Sequence, residues 1–167
     1  MTIRLADAIR AREEQRYTEA YEILASLHDE NPADARVNYQ LAWLHDAQGL
    51  ERAAVPWYEA AISGDLSETE LRGALLGLGS TLRTLGEYQR SAVVLRRGME
   101  RFPHAGEFPA FLAMTLYNCG EHTEAMALLL KELVHSSLDE GIVRYRRAIL
   151  FYQDRLDQRW TGDGEAE

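Results

Sequence analysis

The chain repeats itself, and that self-similarity limits its fold more than any other property. Four segments share one pattern: RYTEAYEILASL (16–27), LERAAVPWYEAA (50–61), EYQRSAVVLRRG (87–98) and HTEAMALLLKE (122–132). Each follows a turn position, at Gln15, Gly49, Gly86 and Gly120. Beyond each turn comes a small residue (Ala20, Ala54, Ser91, Ala125) and then a large one (Leu24, Tyr58, Leu95, Leu129). The turn positions are 34, 37 and 34 residues apart, so three residues near Glu68 to Leu71 are inserted between the second and third units.

The segments before the turns align as well. Ala8, Ala42, Gly79 and Ala113 make a second small column, preceded by Leu41, Leu78 and Leu112 in three units and by Asp7 in the first. Leu82 and Leu116 follow one turn later, where the first two units have Ala11 and His45. Small residues on two facing helices permit close antiparallel approach, and the large ones fill the gaps beside them. Glycine between the helices accepts the left-handed backbone of a tight helix end. Pro32 and Pro103 close the first and third units, because a helix cannot run through a proline unimpeded. One hairpin of this kind buries little alone, whereas stacked hairpins share a core.

These columns resemble the tetratricopeptide repeat (TPR) family over about residues 1–139. The resemblance implies an all-α, right-handed solenoid of antiparallel helical hairpins with about nine helices. The units fall near 1–34, 35–68, 72–105 and 106–139, followed by a C-terminal helix near 139–159, all within a single domain of 1–160. Helices are expected at 2–14, 17–30, 34–47, 51–63, 67–84, 87–101, 105–118 and 121–135. Ser67-Glu68-Thr69-Glu70 is a capping-box pattern that lengthens the fifth helix. Pro56 lies inside the fourth helix, where it bends it or sits near its first turns. The tail TGDGEAE (161–167) has the composition of a disordered segment.

Composition bounds the function. The 167 residues carry a net charge of −9, which argues against non-specific nucleic-acid binding, since phosphate affinity comes from neutralising Lys and Arg. No run approaches the apolar length of a membrane span, and MTIRLADAIRAREEQ has no apolar signal core, so a cytoplasmic chain without membrane contact is expected. Cys119 is the only cysteine, so no internal disulfide forms. No phosphate- or dinucleotide-binding glycine motif is present. Cys119 and His122 share a turn, but at columns that hold unrelated residues elsewhere, and the five histidines lack metal-ligand spacing. No enzyme activity, cofactor or metal is expected.

The resemblance implies a concave groove lined by the first helix of each unit. Its row is Leu5, Ile9 and Arg12; Tyr39, Trp43 and Asp46; Leu76, Ser80 and Arg83; Ala110, Met114, Tyr117 and Asn118. Arg144, Tyr145, Ala148 and Phe151 extend it on the last helix. Aromatic and apolar groups that the packing columns do not use are suited to anchoring a protein or peptide partner. The lysine and asparagine clamp by which some TPR domains grip terminal carboxylates is replaced here by Leu5, Ile9, Tyr39, Trp43, Leu76 and Ser80. On the last helix, Ile142, Tyr145, Ile149, Tyr152 and Leu156 form one apolar stripe expected to pack on unit 4. Val143, Leu150 and Phe151 lie outside it and offer a surface for homodimerisation, the alternative role, with the concave groove as the other contact surface for it.

Overall fold

In a computed structural model, residues 3–160 are described, and among them the chain is nine helices without a strand. The helices pair as α1 (Ile3–Glu13) with α2 (Tyr17–Glu30), α3 (Ala35–Asp46) with α4 (Glu51–Ile62), α5 (Glu68–Thr84) with α6 (Tyr88–Arg101), and α7 (Glu107–Cys119) with α8 (His122–Ser136). The ninth, α9 (Glu140–Tyr152), stands alone at the C-terminal end. Each hairpin leans on the next, and the first helices α1, α3, α5 and α7 also touch in sequence. The tail 161–167 lies outside the described residues.

All four turn positions carry a left-handed backbone, with φ of 60° at Gln15, 69° at Gly49, 78° at Gly86 and 84° at Gly120. Gln15 is the one non-glycine residue there and bears the steric cost that glycine avoids. Ser67 and Glu70 form the reciprocal capping box, and α5 is the longest helix at 17 residues. Pro56 is tolerated inside α4, which continues to Ile62.

The small columns are buried as the repeat requires: Ala8, Ala42, Gly79 and Ala113 on the first helices, Ala20, Ala54, Ser91 and Ala125 on the second. The column residue Gly79 and, outside the columns, Gly98 sit where a side chain would crowd a neighbour. A Cβ on Gly79 would stand 2.5 Å from Leu95 Cδ2, and one on Gly98 would stand 2.1 Å from Phe108 Cε1. In the large column Leu24, Tyr58 and Leu95 are fully enclosed, but Leu129 is 43% exposed. The difference is positional. Leu129 sits on α8, which among the described residues packs only on α7 and α9.

The last helix corrects two expectations. It ends at Tyr152 rather than near 159, and the chain then turns so that Trp160 packs against Phe151 and Tyr152, at ring-centroid distances of 6.2 and 5.4 Å. Its expected stripe is also only partly used. Ile142 and Ile149 are half-buried, whereas Tyr145, Tyr152 and Leu156 are exposed, and Leu150 takes a half-buried place instead. The cause is that α9 packs on α8 alone and makes no contact with α7, unlike a regular first helix of a next unit.

Candidate partner-binding groove

The first helices lie side by side, but few members of the expected row are free: Leu5 is buried, and only Trp43, Met114, Tyr117 and Asn118 of the row on these helices are exposed. Tyr39 is buried, with its ring 5.9 Å from Trp43 and 6.3 Å from Tyr58. It lies over Gly73, where a Cβ would approach the Tyr39 hydroxyl to 2.2 Å. Asp46 turns inward too. It accepts a hydrogen bond from the Tyr58 hydroxyl at 2.8 Å, and Thr81 Oγ1 lies 2.8 Å from the same carboxylate. Burial raises the Asp46 pKa above the ordinary aspartate value, opposed by these two hydrogen bonds. Burial likewise raises the Tyr39 and Tyr58 hydroxyls. Tyr39 and Asp46 thus join units 2 and 3 rather than line the groove.

Trp43 remains on the surface, 43% exposed. The Arg12 guanidinium stacks on its ring, 3.6 Å from the centroid, while Arg12 itself is only 6% exposed. Burial lowers the Arg12 pKa, with Glu13 opposing the shift most strongly among its neighbours. Leu76 and Ser80 are half-buried between the units.

A second cluster lies further along. Arg83 Nη1 donates to Asn118 Oδ1 at 3.3 Å, tying unit 3 to unit 4. Met114 and Tyr117 are exposed, Tyr117 to 65%, and the Tyr117 ring meets His122 at 4.8 Å. Arg83, Met114, Tyr117 and Asn118 edge a cavity of about 360 Å³ that Ala113, His122, Ala125, Met126 and Leu129 complete. His122, Met126 and Leu129 belong to the second helix α8, which first-helix register does not point to. Ala110 is half-buried near the start of α7.

Arg144 and Tyr145 are exposed but do not continue the row, because α9 does not lie beside α7. The same holds for Ala148. Val143 and Phe151 are exposed, and Phe151 is engaged by Tyr152, Trp160 and the Arg155 guanidinium 4.6 Å away. No hydrogen bond joins Cys119 to His122 among the described residues. His45 Nδ1 donates to Leu41 O of its own helix (2.7 Å), and the ring packs against Trp57, a structural role. Among the described residues there is no cluster of potential metal ligands, and no helix is long and apolar enough to cross a membrane.

Hairpins stacked on small-residue columns, with a surface of first-helix side chains left over, define a helical-repeat scaffold. The tetratricopeptide repeat family profile matches residues 35–156, and the chain belongs to this family. Such repeats serve generally in protein–protein interaction. Among solved structures, the chain resembles one described as the crystal structure of MamA, with a TM-score of 0.70 and 17% sequence identity. That match covers 92% of this chain and 89% of the other, and at this identity it speaks for the fold. A search of curated protein sequences returns no match.

Proposed function

We propose that the protein is a non-catalytic interaction scaffold that holds a peptide or partner protein in its concave groove. The observation that carries this reading is the exposure of Trp43, Met114 and Tyr117 on first helices whose other large apolar residues are mostly enclosed. Aromatic and methionine side chains of this kind are common anchors of protein interfaces. Leu76, Arg83 and Asn118 border the same surface. The double change Trp43→Ala with Tyr117→Ala is expected to abolish partner capture while helicity stays nearly unchanged. Captured proteins compared by mass spectrometry between wild type and this variant check it. A folded double variant that retains its partners would move the site off the groove.

Self-association is a second reading, favoured by exposed apolar side chains on the last two helices. Met126, Leu129 and Leu133 of α8 and Val143 of α9 are all exposed there. A two-fold contact would enclose them without another repeat. Sedimentation at high concentration separates the cases. A dimer that dissociates on changing Leu129 and Leu133 to Glu supports self-association through this end; a wild-type monomer removes it.

A further inference from the structure

Arg12 is a buried cation whose one ion pair among the described residues is long and leaves its donors unmet. Its Nε is enclosed and has no hydrogen-bond partner. The nearest carboxylate oxygen is Glu13 Oε1, 3.8 Å from Nη2, on an adjacent and largely exposed side chain. The equivalent position one unit on is Asp46, but its carboxylate is already taken by Tyr58 and Thr81. Two units on, Arg83 repeats the situation, with its own Nε enclosed and unpartnered. A guanidinium removed from water is costly unless a carboxylate meets it, and its planar fork suits that group. On a chain of net charge −9, most surfaces repel acidic partners. The concave face is where two arginines with unmet donors are placed.

Resting on the groove reading above, we propose that the Arg12–Trp43 pair is a recognition site for an acidic side chain, Glu or Asp, within a bound peptide. The carboxylate meets the terminal nitrogens of Arg12, and its aliphatic stem and apolar neighbours lie on the exposed Trp43 ring. Asp46 is held by Tyr58 and Thr81 at the joint of units 2 and 3 and makes no ion pair with Arg12, so the site stays open to a partner's carboxylate. A terminal carboxylate is not needed, and Arg12, which supplies the charge, is not one of the positions of a terminal clamp.

The test uses the full chain, isotope-labelled, and two short peptides blocked at both ends. One carries a single glutamate between leucines; its counterpart carries glutamine. The Trp43 indole resonance, identified by its loss in Trp43→Phe, reports binding at the site. The glutamate peptide is expected to shift it and to bind about tenfold tighter than the glutamine peptide, the size of one charge-assisted hydrogen bond. In Arg12→Met the two peptides become equal. Equal binding to the wild type overturns the carboxylate site but leaves the groove intact. A glutamate preference that survives in folded Arg12→Met also overturns it. If that variant does not fold, the wild-type comparison decides alone, and added salt must then shrink the glutamate preference. Binding of neither peptide overturns the carboxylate site, while the groove itself is judged by the capture experiment with Trp43→Ala and Tyr117→Ala.

Discussion

Replacing Phe108 by alanine is expected to cost about 3 to 5 kcal/mol, the usual price of emptying a large aromatic site in a core. Phe108 is fully enclosed, stacked on Phe102 at 6.0 Å with the rings nearly parallel. It sits where α6 meets α7, so its loss loosens the joint between the third and fourth hairpins. Denaturant melts followed by circular dichroism would show a lower midpoint, with the C-terminal hairpin unfolding first. Gly98→Ala is the converse change. Its Cβ would press on the Phe108 ring, 2.1 Å from Cε1, at a cost of about 1 to 3 kcal/mol. With both changes together the new methyl enters the vacated space, so the double variant should lose less than the sum of the two. Strict additivity would show that Gly98 and Phe108 do not share a site.

Asp46→Ala is expected to destabilise by about 1 to 3 kcal/mol at neutral pH, because the buried Tyr58 hydroxyl then lacks its acceptor. Asp46→Asn keeps an acceptor and should cost far less. The two variants also differ from wild type in pH dependence. The native state raises the Asp46 pKa above its ordinary 3.8, so it holds that proton more tightly than the unfolded chain. The resulting stability is fully present below 3.8 and lost as pH rises through the raised value. Asp46→Asn carries no charge and escapes that loss, so it gains on wild type across this window. Thermal melts from acid to neutral pH check the sign. Equal melting of the Ala and Asn variants at neutral pH would remove Asp46 as the link between the two hairpins.

The fold was legible because its packing is periodic. Every small column of the sequence is a buried column, and every expected turn has the left-handed backbone its glycine or Gln15 must adopt. The site was less legible, since position along a helix does not say which neighbour a side chain meets. Tyr39 and Asp46 occupy groove positions by register, yet both are drawn into the joint between units 2 and 3. A signal for this was present: Gly73 and Gly77 stand one turn apart inside a helix, without a turn to justify them. They are the hollows for Tyr39 and Tyr58, whose hydroxyls would lie 2.2 and 2.5 Å from a Cβ there. The place of α9 was not readable. Its apolar stripe suits several seats on unit 4, and the choice depends on α7, Trp160 and the turn after Tyr152 together.

Because each helix touches only its near neighbours in the chain, the molecule is an elastic stack rather than a block. A force applied between its ends passes through every hairpin in series, and among the described residues no long-range strap shares the load. The links differ in strength. The three inner joints are filled by enclosed side chains, while α9, which buries none of its residues fully, is fastened to α8 alone. Tension on the C-terminal end therefore peels α9 away first and leaves four hairpins bearing the strain, with the groove still formed between them.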